Sequence, residues 1–313
     1  MYHFCTYFDK NFLTRGLGLY FSLKKQNIEF RFFILCLDKE TYEILKKLNY
    51  SELRLIKLSQ IEIFYPDLIS VKEERTKVEY YWTLTPFLLL FILKKWPSID
   101  TITYFDADLY FYNNPKYLFK EFGNNSVFII PHRLKGLDKK HEKRWGKYNV
   151  GLIMFRNDKN GTKCLNWWSD KCLEWCYYKV EENRAGDQKY LDYFSQLFEG
   201  VLSSENHGAG IGNWNLHYYN YHMNRGHISI SPSNEKVIFC HFNQVMILNK
   251  YGWIINKSIS KTSRILLKPY ANSIYKAIKK VEEIQTNFQY GYENNRFRLF
   301  IYGLINRQLF KGK

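Results

Sequence analysis

The chain has 313 residues, of which 46% are hydrophobic and 24% charged, a globular composition that excludes disorder as the main state. Aromatic residues make up 19%, enough for a sizeable core and for stacking surfaces. The net charge of +16 is uneven: from Val245 onward there are thirteen Lys/Arg and three Glu, so the excess belongs mainly to a C-terminal segment. An anionic membrane surface, nucleic acid, an acidic glycolipid or plain solvation would each suit such a segment. Basic residues are not interleaved along residues 1–244, so no nucleic-acid partner is expected.

His3 to Tyr7 reads as a short strand, followed by a polar turn and a helical pattern from Leu13 to Lys25. Phe30 to Leu37 is a continuous apolar run of the kind buried in parallel sheets. A helix at Lys39–Leu48 and a strand at Leu53–Leu58 continue the αβ alternation of a doubly wound sheet. The charged patch Lys72–Glu79 leads to a helix expected over Thr85–Lys95. Its apolar stretch is far short of the ~20 residues that a membrane span needs. Further strands are expected at Thr101–Phe105, Val127–Pro131, Asn149–Phe155 and Val237–Phe242, and helices at Trp167–Tyr178 and Gly186–Phe194. From Lys261 to Val281 a stripe of Leu267, Tyr270, Ile274, Ile278 and Val281 predicts an amphipathic helix starting at Pro269. That stripe either lies on an anionic bilayer or packs on the core. The expected division is residues 1–245 and a basic helical extension at 246–313.

No basic segment followed by an apolar one opens the chain, so no signal peptide is expected. Cys5, Cys36, Cys164, Cys172, Cys176 and Cys240 contain no CxxC pair and read as reduced core residues, which fits a cytoplasmic protein. GLGLYF at 16–21 lacks the third glycine of a dinucleotide fingerprint and reads as helix packing; neither a P-loop nor a GxSxG elbow is present.

The chemistry-bearing feature is YFDADLYF at 104–111, an apolar strand running into two carboxylates one residue apart. Asp106 and Asp108 at the end of a parallel strand can meet one hard divalent cation, which can hold a diphosphate. His241, at the end of the last strand, is a suitable third ligand. Asn149 can offer an amide to sugar hydroxyls. Asp187 and Gln188 open a predicted helix, where Asp187 serves a ligand or simply caps the helix. The loop HGAGIGNWN at 207–215 permits close backbone approach and presents Trp214 as a flat face.

FCTYFDKNFLTRGLGLYFSL, EYYWTLTPFLLLFIL, ITYFDADLYF, YNVGLIMFR, GDQKYLD, GAGIGNWN and CHFNQ occur in this order over residues 3–244. Together they resemble the GT-A-fold nucleotide-diphospho-sugar transferases related to glycosyltransferase family 8. The resemblance implies a Rossmann-like, mixed, mostly parallel sheet flanked by helices. It implies Mn²⁺ (or Mg²⁺) on Asp106, Asp108 and His241, with Thr6, Asp9, Arg75, Lys77, Tyr80 and Ala107 at the nucleotide. It further implies Asp187 and Gln188 as catalytic residues, and Asn149, Gly210, Asn213, Trp214 and Asn215 at the donor sugar or acceptor. Lys189 departs from the Asp-Gln-Asp run usual there, and no His-x-Gly-x-x-Lys run follows His241. The activity implied is metal-dependent transfer from a UDP-sugar, with retention, to a cell-surface glycan or lipid-linked acceptor. A non-catalytic protein binding an anionic surface, membrane or nucleic acid, and a nucleotidyltransferase remain as alternatives; the latter would release pyrophosphate.

Overall fold

The computed structural model describes residues 1–256, 259–260, 262–294 and 296–312. In chain order the first half comprises β1 (Tyr2–Phe8), α1 (Leu13–Lys24), β2 (Phe30–Cys36), α2 (Lys39–Leu48), β3 (Leu53–Lys57), α3 (Leu58–Phe64), α4 (Asp67–Glu74), α5 (Lys77–Lys95), β4 (Thr101–Phe105), β5 (Leu109–Phe111), α6 (Lys116–Phe122) and β6 (Val127–Pro131). Then follow α7 (Lys140–Trp145), β7 (Tyr148–Arg156), α8 (Lys159–Glu174), α9 (Phe194–Leu197), β8 (Val201–Ser203), β9 (Ile211–Gly212), β10 (Asn220–Asn224), β11 (His227–Ser231) and β12 (Phe239–His241). The C-terminal part holds β13 (Met246–Ile247), β14 (Trp253–Ile255), α10 (Arg264–Ile284), α11 (Arg296–Ile305) and β15 (Leu309–Lys311).

A seven-stranded sheet in the order β3-β2-β1-β4-β7-β6-β8 forms the centre. All its pairings are parallel except those of β7, which runs antiparallel to both β4 and β6. The mixed, mostly parallel α/β sheet read from the sequence is therefore present. The continuous apolar runs of β2 and β4 are buried on both faces, since α1 covers one side and α5 with α8 the other. The α1 glycines are contact points. A Cβ on Gly16 would lie 2.2 Å from the Phe8 ring, and one on Gly18 would lie 3.3 Å from Ile274.

Several boundaries differ from the sequence reading for physical reasons. α5 starts at Lys77, because Thr76 and Glu79 form a reciprocal capping box there. Pro86 is accommodated inside that helix. The helix expected at Trp167–Tyr178 starts instead after the Asp158 cap and ends at Glu174. The Gly186–Phe194 segment is a 3₁₀ turn over Lys189–Tyr193 followed by α9. α10 begins at Arg264 and contains Pro269 rather than starting at it.

Leu267, Tyr270, Ile274, Ile278 and Val281 are all buried, and the Ser273 hydroxyl donates to the Gly18 carbonyl at 2.9 Å. The stripe thus packs on the core and is not open to a bilayer; Lys261, where the stretch was expected to begin, lies outside the described residues. Residues on both sides of position 245, such as Tyr110 and Cys240 with Ile254 and Ile274, share one apolar cluster. The extension also contributes the sheet β13-β14-β15, so it is not purely helical. All six cysteines are buried and unpaired.

Candidate active site

Asp106 leaves the end of β4 with its N–H donating to the Gly151 carbonyl of β7 at 2.9 Å. The Leu109 N–H donates back to the Asp106 carbonyl at 3.2 Å, closing a tight turn that places both carboxylates at the sheet edge. β12 pairs with β5 so that His241 lies opposite Leu109, one residue from Asp108. That register brings His241 Nε2 to 3.0 Å from Asp108 and 3.5 Å from Asp106. One ligand atom from each residue lies within 4.8 Å of the others.

Two carboxylates and an imidazole suit a divalent cation such as Mn²⁺ or Mg²⁺. Burial alone would lower the His241 pKa, but the neighbouring Asp108 and Asp106 carboxylates outweigh it and raise it. Burial would raise that of Asp108, yet the His241 charge and hydrogen bond bring it down. With no cation bound, the two carboxylates therefore favour the charged form of the histidine. Tyr104 Oη donates to Asp106 at 2.8 Å and orients that carboxylate.

The triad sits where two hollows meet. One, about 640 Å³, is lined by Tyr7, Asp9, Lys77, Tyr81, Asp106, Ala107, Asp108 and His241. The Lys77 ammonium lies 2.7 Å from the Asp9 carboxylate at its rim. The other, about 290 Å³, is walled by Trp82, Trp145 and Tyr178, with Asp106, Asn149, Asp187 and Gln188 supplying polar groups. Trp145, Tyr178, Asn149 and Gln188 also border a third hollow of about 610 Å³, which continues to Asn213, Trp214 and Asn243.

Polar contacts fix the smaller hollow. Asn149 Nδ2 donates to Gln188 Oε1 at 3.1 Å, and Gln188 Nε2 donates to the Trp145 carbonyl at 2.9 Å. Asp187 is not a helix cap; Thr85 Oγ1 lies 3.2 Å from its carboxyl, and Trp168 Nε1 donates to its backbone carbonyl at 2.9 Å. Burial, aided by the Asp106 charge, pushes its pKa up to about 8, so the isolated protein holds it neutral at pH 7. Burial lowers that of His132 to about 4, keeping this ring neutral beside Asn149.

Five expected site residues lie elsewhere. Thr6 is fully enclosed within β1, and its neighbour Tyr7 reaches the hollows instead. Arg75 turns into the core, where it donates to the Thr83 hydroxyl and to the Cys172 and Leu173 carbonyls. Tyr80 is buried, with its hydroxyl donating to Glu62 at 2.8 Å. Gly210 and Asn215 shape their loop: Asn215 donates to the Gly210 and His132 carbonyls and is 1% exposed. Conversely Tyr7, Tyr81, Trp82, Trp145 and Tyr178 line the hollows and were not singled out. Their sequence signal is the density of aromatic residues around FCTYF, EYYW, KRWGKY and EWCYYK.

No protein-family model matches the chain. The chain is 34% identical to the uncharacterized protein YfnF of Bacillus subtilis over 280 residues, covering 87% of this chain and 89% of that one. It is 25% identical to the uncharacterized protein YfnD of the same organism, covering 93% and 94%. Among solved structures it resembles the galactosyltransferase LgtC in complex with donor and acceptor sugar analogues, with a TM-score of 0.54 at 14% identity, covering 90% and 95%. The apo form of the glycosyltransferase GlyE of Streptococcus pneumoniae aligns with a TM-score of 0.51 at 14% identity, covering 94% of this chain and 66% of that one. These likenesses show that the fold is the GT-A glycosyltransferase fold.

Proposed function

The chain belongs to the family of Bacillus subtilis YfnF, and from its site geometry we propose that it is a metal-dependent glycosyltransferase using a nucleotide-diphosphate sugar, UDP-linked. The observation that carries this reading is the Asp106–Asp108–His241 cluster at the junction of a nucleotide-sized and a sugar-sized hollow in a GT-A fold. LgtC was captured with donor and acceptor sugar analogues. The connected hollows here suit the same pair of ligand classes.

Glycosyl transfer develops positive charge on the sugar and negative charge on the departing diphosphate. Mn²⁺ or Mg²⁺ held by Asp106, Asp108 and His241 would supply Lewis-acid stabilisation of that negative charge. Lys77 adds a cation at the rim of the larger hollow. Asn149, Asp187 and Gln188 orient the sugar in the smaller one, where Trp82, Trp145 and Tyr178 exclude water. Gln188, held by Asn149 and Trp145, supports a retaining course in which a group stands on the sugar's far face. The third hollow is bordered by amides, aromatic rings, histidines and the Asp138 carboxylate, with no lysine or arginine among its lining residues. It suits a neutral saccharide end of a cell-surface glycan or lipid-linked acceptor.

The test is a screen of nucleotide sugars for release of free nucleoside diphosphate, with and without Mn²⁺. Metal-dependent release that Asp108→Ala abolishes at unchanged melting temperature supports the reading. Pyrophosphate as product would make the chain a nucleotidyltransferase. No turnover of any donor, together with no thermal stabilisation by UDP plus Mn²⁺, would leave a non-catalytic protein.

A further inference from the structure

A fourth hollow, about 930 Å³, lies between the end of α1, the β10–β11 hairpin and the start of α10. It shares no lining residue with the three hollows of the candidate active site. Tyr110 and Tyr112, on and just after β5, with Pro269 of α10 and Phe310 of β15, give it apolar walls. Lys25, Arg264 and Lys268 supply three cations, and no Asp or Glu is among its lining residues. Other lysines of the same helices have carboxylate partners: Lys24 pairs with Glu52, Lys279 with Glu282 and Lys280 with Glu283. Lys25 instead meets the Tyr110 hydroxyl at 3.3 Å, and burial together with the Lys276 charge lowers its pKa. The Arg264 guanidinium lies over the Phe310 ring, 4.6 Å from its centroid. Arg264 opens α10 and Lys268 follows one turn later, at the helix end that favours negative charge, with no acidic residue in the first turn. The repulsion among these cations is not answered by any carboxylate lining the hollow.

We propose that this hollow binds a saccharide segment carrying anionic groups, carboxylate or phosphate. Aromatic rings and proline meet the apolar faces of sugar rings, while lysine and arginine give charge-assisted hydrogen bonds to an anionic substituent. The amides of Gln26 and Asn272 also border the hollow and suit hydroxyl groups. Its volume exceeds the roughly 640 Å³ of the hollow assigned to the nucleotide, so there is room for more than one sugar ring. Tyr110 stands two residues after Asp108, so one strand borders both this hollow and the metal cluster. An acidic acceptor chain would thus be held here while its neutral end occupies the third hollow. This last point rests on the transfer reading; the binding itself does not.

The test is calorimetric titration of the full chain without Mn²⁺ or donor, so that its failure leaves the transfer reading untouched. Trigalacturonate should bind about tenfold more tightly than neutral maltotriose, or glucose 6-phosphate about tenfold more tightly than glucose. The two arms tell carboxylate from phosphate. Lys25→Gln/Lys268→Gln should lower the affinity for the preferred anionic saccharide about tenfold, the combined effect of two exposed ion pairs, and keep the wild-type melting temperature. Lys46→Gln/Lys47→Gln, at exposed positions on α2, should leave that affinity unchanged, which separates this hollow from the general positive charge. No preference for the anionic saccharide in either arm overturns the proposal, as does an affinity that survives Lys25→Gln/Lys268→Gln or falls equally in Lys46→Gln/Lys47→Gln. Inorganic phosphate binding as tightly as both anionic saccharides would also overturn it, since the hollow would then hold a bare anion.

Discussion

Nδ1 of His241 lies 3.2 Å from Oδ1 of Asn149, and this contact fixes the tautomer of the ring. The Asn149 oxygen also accepts the Gly151 N–H at 2.9 Å, so it is an acceptor and the histidine must donate from Nδ1. The lone pair that could ligate a cation then belongs to Nε2, on the side of Asp106 and Asp108. Gly151 is required beneath it, because a Cβ there would lie 2.6 Å from the ring. The same Asn149 amide holds Gln188 through its nitrogen.

Asn149→Ala should therefore weaken Mn²⁺ binding about 10–100-fold, the usual cost of losing a partner that orients a ligand. Asn149→Asp, which keeps an acceptor for the ring, should restore most of that affinity while still releasing Gln188. Calorimetric metal titration of the purified protein reads both. Unchanged affinity in Asn149→Ala would mean that packing against Gly151 and Trp214 alone orients the ring.

Asp187 predicts a pH dependence of stability. Its carboxyl ionises near 3.8 in a solvated chain and near 8 in the fold. Between those values the folded chain keeps a proton that the unfolded chain has lost. Stability therefore falls as pH rises through that window, by up to about 1.4 kcal/mol per unit from this group. Urea midpoints in the presence of a chelator should show that slope, and Asp187→Asn should flatten it. Mn²⁺ should lower the upper end of the window, because part of the shift comes from the Asp106 charge. A slope identical in wild type and Asp187→Asn would remove Asp187 as its source.

What the sequence made legible was what one strand end can carry. Asp106 and Asp108 stand where an apolar run stops, and His241 stands at another such end, so strand pattern alone located all three. Arg75 and Tyr80 show the limit. Composition marked their segment as basic and aromatic, but which way each points depends on α8, whose carbonyls take Arg75, and on Glu62 of α3. Trp82, Trp145 and Tyr178 come from α5, α7 and a loop that meet only in space. The α10 stripe is a third kind of case. Amphipathic spacing requires an apolar partner without naming it, and here α1 supplies one through Gly18. α11 is apolar on both its packed and its open side, so no single stripe marked it.

Arg75 should behave as a structural residue. Its guanidinium donates to the Cys172 and Leu173 carbonyls at 2.8 and 2.6 Å, in the last turn of α8, where helix carbonyls lack partners. It also lies over the Tyr177 ring. Arg75→Met should cost about 3 kcal/mol through the charged hydrogen bonds lost. At a temperature where both forms are folded, UDP affinity should be unchanged. Weakened UDP binding without a stability loss would return Arg75 to the nucleotide site.

Lys189 offers the sharpest test of how the sugar-sized hollow is built. The residue is 5% exposed, and its ammonium donates to the Lys143 carbonyl at 2.7 Å and the Glu181 carbonyl at 3.1 Å. Lys143 lies two residues before Trp145, and Glu181 three after Tyr178. The ring planes of these two aromatic side chains form part of the wall, 5.7 Å apart between centroids. One buried cation thus ties together the two segments that carry them. A carboxylate at this position could accept nothing from two carbonyls, so the lysine and this arrangement of loops belong together. Lys189→Met keeps the length of the side chain and removes its donors. It should loosen the wall and raise the donor KM about tenfold, the effect of roughly 1.4 kcal/mol lost in positioning. UDP alone, which the proposed function seats in the larger hollow, should bind as before. Lys189→Arg, which retains donors, should recover part of the loss. If Lys189→Met weakened UDP and the donor sugar equally, the lysine would act on the whole site or on stability, and the tie between the two segments would not set the pocket.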